Sequence, residues 1–294
     1  MPCYHPLTAY RHKGGRIDGK WSVTFNRANA YTDLPVQLPC GQCIGCRLEK
    51  SRQWALRCTH EIKQHDQNCF ITLTFDDEHL DPDQTLVKAD FQNFMKRLRK
   101  NTSQKIRYYH CGEYGDQLGR PHHHAILFGY DFPDKKYFKN SKKHKLFSSD
   151  ILDKAWQNQG HTLIGEANFE TAAYCARYIM KKVTGMPAAE HYGNKLPEYN
   201  TMSRRPGIGR DYYDKYKNEI YPDDFVVSRG QKMTPPKFYD NLLYQDNPEQ
   251  YEAIKGHRIQ NIKKFDDYGD YTRLPIKEEI KYAKSKQQLR PLHQ

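Results

Sequence analysis

The chain has 294 residues, of which 37% are hydrophobic and 13% aromatic, including 22 tyrosines. It can therefore bury a core, and full disorder is excluded. Lysine and arginine number 47 against 35 acids, a net charge of +12, which in a tyrosine-rich chain suits nucleic acid: cations meet phosphates and rings stack on bases. No apolar run approaches the roughly 20 residues of a membrane span. The opening MPCYHPLTAYRHKGG carries no apolar signal stretch, so the expectation is a cytosolic protein with reduced thiols.

Residues 1–42 are rich in Pro, Gly and polar side chains and show no long period. Cys40, Cys43 and Cys46 form a C-x₂-C-x₂-C run, which in a reducing compartment points to a metal rather than to disulfides. Cys3 is the best fourth ligand, with His5 in reserve. Four thiolates around zinc would be structural, since no position stays open; an iron–sulfur cluster is the rival at this spacing. Cys58, Cys69, Cys111 and Cys175 read as core thiols.

Ile44, Leu48, Ala55, Cys58 and Ile62 mark a helix from Cys43 to about His65. CFITLTF (69–75) reads as a strand. Phe91, Phe94, Met95 and Leu98 give residues 88–100 an amphipathic helical face. KIRYYHCGE (105–113) and HHHAILFGY (122–130) read as strands joined by the turn YGDQLGRP. A basic loop follows from Lys135 to Lys145. Ser149 is a good N-cap for a helix to about Asn158. HTLIGEANF (161–169) is a further strand, and residues 170–184 are helical. Beyond Gly185 periodicity weakens. The order predicts an α+β fold with a mainly antiparallel sheet flanked by helices.

Side chains alternate faces along a strand, so His122 and His124 share one face and His123 takes the other. Two imidazoles on one face can reach one metal ion, though a polar strand end gives the same pattern. Glu113, at the end of the partner strand, could complete a mixed N and O set suited to Mn²⁺ or Mg²⁺ on a phosphodiester. Asp116, in the turn, is a weaker substitute. In YCARYIMKK, Ala172, Ala176, Ile179 and Val183 cluster as a core stripe, while Tyr174, Tyr178 and Lys181 fall on the opposite side. A tyrosine needs activation to act as a nucleophile near neutral pH. Lys181 and a metal on the phosphate could supply it.

FITLTF, the His-x-His strand and the Tyr-x-x-x-Tyr-x-x-Lys helix, in that order, resemble the three motifs of the HUH endonucleases, the rolling-circle replication initiators. PCGQCIGCR (39–47), CGEYGDQLGRPHHHAILFG (111–129), YCARYIMKK (174–182) and MSRRPGIG (202–209) resemble more closely the initiators of gokushoviruses within the Microviridae. The resemblance implies a sheet related to the ferredoxin-like split βαβ plan. It implies His122, His124 and Glu113 as ligands of Mg²⁺ or Mn²⁺, Tyr174 and Tyr178 as alternating nucleophiles, and Lys181 as supporting base or phosphate clamp. Thr72 and Thr74 would be structural or near DNA. The residue between the two histidines is usually bulky and hydrophobic; here it is His123, expected to pack neutrally beneath the sheet.

The implied activity is a metal-dependent, site-specific nick in the viral strand of the double-stranded replicative form. It would leave a 5′-phosphotyrosine link and be followed by joining of the displaced single strand into a circle. The implied setting is the cytoplasm of a bacterial host, with origin DNA, host DNA polymerase and host helicase as partners. No step needs an electron carrier, which favours zinc at the cysteines. Arg204, Arg205 and Arg210 around a Gly/Pro turn, and Lys142 and Lys143 in the basic loop, could track phosphates. The expected divisions are a metal-bound N-terminal segment 1–65, a catalytic core 66–200 and a basic extension 201–294. A zinc-containing DNA-binding protein without catalysis, or a plasmid relaxase, remain as alternatives.

Overall fold

The computed structural model describes residues 3–17, 20–115, 118–141, 144–183, 185–264 and 273–288, with the side chains of Lys20 and of 178–181, 262–264 and 286–288 outside the description. The strands are β1 (Leu7–Ile17), β2 (Lys20–Thr24) and β3 (Ala30–Leu38), followed by helix α1 (Ile44–Ile62). Next come β4 (Asn68–Thr74), α2 (Lys88–Lys100), β5 (Arg107–Tyr114), β6 (Pro121–Phe128), β7 (Lys136–Ser141), β8 (His144–Ser148), α3 (Asp150–Ala155), β9 (Thr162–Glu166) and α4 (Phe169–Lys181). The remainder is α5 (Pro187–Tyr192), β10 (Tyr199–Met202), α6 (Arg210–Ile220), β11 (Val226–Ser228), β12 (Gln231–Met233), α7 (Lys237–Asp246), α8 (Pro248–Lys264) and α9 (Leu274–Gln288).

The described residues fall into two compact units: those within 1–49 and 267–290, and those within 50–266. The division lies inside α1, and contacts group the residues otherwise than the sequence-based segments 1–65, 66–200 and 201–294. The first unit holds an antiparallel sheet in the order β2-β1-β3. These strands fill a region that sequence reads as irregular. Most of their residues are exposed, Ala9 and Ala30 being buried exceptions, so no in–out alternation marks them. In the same unit Glu278 of α9 accepts from the Ile44 backbone N–H at 3.4 Å and lies 2.5 Å from His5 Nε2.

The second unit is built on a seven-stranded antiparallel sheet in the order β10-β5-β6-β4-β9-β8-β7. The α+β reading with a mainly antiparallel sheet flanked by helices holds. Alternation sorts each central strand onto two faces. Cys69, Ile71, Leu73, Ala125 and Leu127 meet Phe91, Phe94, Met95 and Leu98 of α2 and Leu152 and Ala155 of α3. Phe70, Tyr109, Cys111, Ile126 and Phe128 meet Cys58 of α1 and Ala172, Cys175 and Ala176 of α4. α2 starts with Asp90 in its first turn and ends on Arg97, Arg99 and Lys100, charges that complement the helix dipole. α4 starts on a capping box: Asn168 accepts from the Thr171 N–H, and Thr171 returns the bond to the Asn168 N–H.

Behind the second face, α6, α7 and α8 pack around Tyr213, Tyr239, Leu242, Leu243 and Ile254, with Leu56 of α1. The buried Glu61 carboxylate takes Arg107 Nε at 2.5 Å and the Gly209 N–H at 2.6 Å, and Arg107 also bonds the Pro206 carbonyl. The basic stretch 135–145, expected as a loop, is largely the hairpin β7–β8. Its β7 residues are almost all exposed, which hides the alternation that would mark a strand. No helix among the described residues is long and apolar enough to cross a membrane.

Candidate metal centre

Strand register builds this site. Thr74, His122 and Glu113 lie across from one another on β4, β6 and β5, and Thr72, His124 and Cys111 form the next row. His122 Nε2 is 2.7 Å and His124 Nε2 2.9 Å from Glu113 Oε1. Glu113 and His124 are buried, while 18% of the His122 side chain reaches solvent. The three ligand atoms all lie within 4.8 Å of one another.

The hydrogen bonds around the cluster fit a cation. His122 Nδ1 lies 3.1 Å from the Arg120 carbonyl, which can only accept, so the ring proton belongs on Nδ1 and the Nε2 lone pair faces inward. That lone pair and Glu113 Oε1 then oppose each other at 2.7 Å unless a proton or a metal ion reconciles them. Glu113 Oε2 is buried with no hydrogen-bond partner. Burial pushes the Glu113 carboxyl up, but positive charge shared with the His122 and His124 rings outweighs it and holds the group below the usual carboxylate range, as a cation between them would. Two imidazoles and one carboxylate leave coordination positions open, as a catalytic divalent ion requires.

Thr72 Oγ1 sits 2.9 Å from His124 Nδ1, the outer partner that fixes a ligating ring. Arg120 bonds the Phe75 carbonyl and pairs with Asp77 at 2.5 Å, bracing the start of β6. The sequence makes Thr72 structural or near DNA without naming this partner, although its place on the His124 face of the neighbouring strand was a usable signal, and it assigns Arg120 no role. His123 packs on the other face, as expected. It is buried against Phe75 and Trp156 and bonds His110 Nε2 at 3.1 Å. Burial and the neighbouring imidazoles drop its pKa to about 3, so it is neutral.

α4 lies over the His122/His124 face. The Tyr174 ring stands edge-on to His124, with centroids 5.1 Å apart at 83°, and edge-on to Phe70. Ala172 and Ala176 are buried as the stripe requires, and Val183 is half-buried. Tyr178 and Lys181 lie on α4, but their side chains, like that of Ile179, fall outside the described residues, as does Asp116. Beyond the helix, Tyr192 Oη accepts from the Val183 N–H at 2.9 Å and donates to Glu198. This anchor sits where the sequence showed only weak periodicity.

The profile of the replication-associated protein ORF2/G2P family matches residues 68–183, which carry Thr72, Glu113, His122, His124 and Tyr174. The chain is 31% identical over 261 residues to the replication-associated protein VP4 of Bdellovibrio phage phiMH2K, covering 85% of this chain and 80% of that one. It is 30% identical over 286 residues to the replication-associated protein ORF2 of Spiroplasma virus 4, covering 90% and 88%. The chain belongs to the phage replication-associated proteins. Replication-associated protein ORF4 of Chlamydia phage 1 is 30% identical over 216 residues, 70% of this chain and 53% of that one. No solved structure matches. The resemblance read from the motifs, to phage replication initiators, agrees with these relatives.

This replication-associated protein brings a second ligand set together. The Sγ atoms of Cys3, Cys40, Cys43 and Cys46 lie within 4.8 Å of one another, and no cysteine among the described residues is in a disulfide. Backbone N–H groups point at the sulfurs: Cys40 N to Cys3, Cys43 N to Cys40 and Tyr4 N to Cys43, at 3.2–3.4 Å. Burial pushes the Cys40 thiol up, but the N–H groups of Cys43 and Gln42 outweigh it, and it falls to about 7. Burial keeps Cys3 and Cys46 raised. Four converging sulfurs with N–H donors fit a divalent ion that would draw off the remaining protons. His5, the reserve ligand, instead faces Glu278. Of the expected DNA contacts, Arg204 and Arg205 are exposed, and Arg210 pairs with Asp214 at 2.7 Å. Lys142 and Lys143 lie outside the described residues.

Proposed function

We propose that the protein initiates rolling-circle replication by nicking the viral strand at the origin of the double-stranded replicative form through a tyrosine. The observation that carries this reading is the convergence of Glu113, His122 and His124 on one sheet face with the Tyr174 ring against His124. Those three side chains would hold Mg²⁺ or Mn²⁺. Such an ion polarises the scissile phosphate and offsets the charge that develops there. Thr72 and the Arg120 carbonyl hold the two imidazoles in position. The Tyr174 hydroxyl gives up its proton and attacks phosphorus, the P–O3′ bond breaks, and the leaving 3′ oxygen takes a proton. The products are a 5′-phosphotyrosine and a free 3′ hydroxyl.

The free 3′ end primes host DNA polymerase, and host helicase separates the strands. Because the phosphotyrosine keeps the energy of the broken phosphodiester, the 3′ hydroxyl can later attack it and rejoin the strand. Tyr178, one turn from Tyr174 on α4, serves the second cut, and Lys181 supports the phenolate or the phosphate. Residues 66–200 form the catalytic core. The cysteine cluster holds a structural zinc in the N-terminal segment, since four thiolates leave no open position on it and no step of the nicking reaction needs an electron carrier. Arg204 and Arg205, with Lys142 and Lys143, track phosphates; Arg210, already paired with Asp214, ranks behind them. The working place is the cytoplasm of the bacterial host.

The test is incubation with single-stranded and supercoiled origin DNA and Mn²⁺ or Mg²⁺, followed by a denaturing gel, for the protein, Tyr174→Phe, Tyr178→Phe and the double variant. A metal-dependent DNA-linked band that vanishes in the double variant is expected. DNA binding without any adduct would leave a binding protein in place of the nickase.

A further inference from the structure

The first unit carries a surface that the nicking chemistry does not use. In the sheet β2-β1-β3, cross-strand partners share a face. Arg11 pairs with Val23 on β2 and with Tyr31 on β3, and Arg16 pairs with Trp21. Trp21 and Val23 are two apart on β2 and so point the same way. One face therefore gathers Arg11, Arg16, Trp21, Val23 and Tyr31. Trp21, Val23 and Tyr31 are 38%, 44% and 40% exposed. The Arg11 and Arg16 guanidinium carbons lie 5.0 and 5.5 Å from the Trp21 ring centroid. Phe25, just past β2, is 60% exposed.

Four occupants could cover such a face, and charge together with base accessibility decides among them. Residues 7–38 hold Arg11, Lys13, Arg16, Lys20 and Arg27 against Asp18 and Asp33. Arginines and aromatic rings also suit a protein interface, but the excess of cations in this segment calls for a partner that is anionic along its length. A second copy meeting face to face would set these arginines against their own images. Duplex DNA hides its base faces. Single-stranded DNA offers what the surface lacks: phosphates for the arginines and open π-faces for Trp21 and Tyr31.

We propose that the N-terminal sheet is a stacking platform for single-stranded DNA, with little sequence preference. The proposal rests on the replication reading, since strand displacement supplies that ligand, but it needs none of the nicking residues. Trp21 and Tyr31 stack on bases, and Arg11 and Arg16 hold the flanking phosphates.

The test is fluorescence anisotropy of the full-length protein with labelled oligothymidylate, without added Mg²⁺ or Mn²⁺, as a function of salt. Trp21→Ala should weaken binding roughly tenfold, the loss of about one base stack. Trp21→Phe, which keeps a ring, should retain most of the affinity. The double variant Arg11→Ala with Arg16→Ala should lower the slope of log K against log salt by about 1.4, at about 0.7 per phosphate contact. Thermal melting confirms that each variant is folded, and adduct formation on a short origin oligonucleotide at saturating DNA should match the parent. If the parent forms no adduct yet binds oligothymidylate in a Trp21-dependent way, the nicking reading fails and the platform stands. Unchanged affinity and salt slope in all three variants would overturn the platform. So would a parent dimer that Trp21→Ala converts to monomer with DNA binding intact.

Discussion

His122 and His124 differ from His123 by one residue and by one sheet face, and that step separates two kinds of chemistry. On the α4 face the rings meet a carboxylate that lacks a partner for one oxygen, beside a tyrosine. On the α2 face the ring lies among Phe75, Phe91 and Trp156, and is kept neutral. The same side chain becomes a candidate ligand or a core residue according to what faces it. The pleat alone assigns which.

The comparison breaks most visibly through the ligands. His124→Ala should reduce adduct formation on origin DNA at least about a hundredfold while the chain stays folded, because the remaining donors hold the ion poorly; single-turnover gels measure it. Glu113→Gln keeps the shape but removes the charge. It should weaken Mn²⁺ binding by about 10- to 100-fold, read by titration calorimetry. Thr72→Val removes only the hydroxyl behind His124, and about tenfold weaker Mn²⁺ binding is expected.

His123→Leu tests the other face. It should leave adduct formation near the parent level but cost about 1–3 kcal/mol in urea unfolding, because His110 Nε2 loses its partner. A large loss of activity with full stability would mean that the faces are not separate. A buried histidine remote from both faces sets the smallest effect. His60, stacked on Tyr212 at 3.9 Å, is pushed by burial to a pKa of about 3 from an ordinary 6.5. The unfolded chain takes up its proton below about pH 6.5 and the folded chain does not until about pH 3. Stability therefore falls with pH across that window, by at most about 1.4 kcal/mol per pH unit from this group. His60→Phe should flatten the acid limb by that amount in denaturant melts at stepped pH.

The central sheet and its helices were legible because their residues obey strong periods. Phe91, Phe94, Met95 and Leu98 place α2 at 88–100, and the observed helix has those bounds. The convergence of Glu113, His122 and His124 was legible for the same reason, since alternation and a hairpin put Glu113 across from His122. What escaped has physical causes. β1, β3 and β7 expose most of their side chains and bury only Ala9 and Ala30, so burial wrote no regular alternation into them. β10 spans only Tyr199–Met202, and the β5 edge it covers defines it more than its own residues do. Thr72 acts on a ring that only strand register brings close, and Arg120 acts through its backbone carbonyl, which no side-chain pattern reveals.

The most direct measurement is pulsed electron paramagnetic resonance of Mn²⁺ added to the protein. The account predicts one tightly bound ion coupled to two imidazole nitrogens, both lost in the double variant His122→Ala with His124→Ala and retained in His123→Leu. Tight Mn²⁺ without imidazole coupling, or coupling that survives loss of His122 and His124, would contradict it.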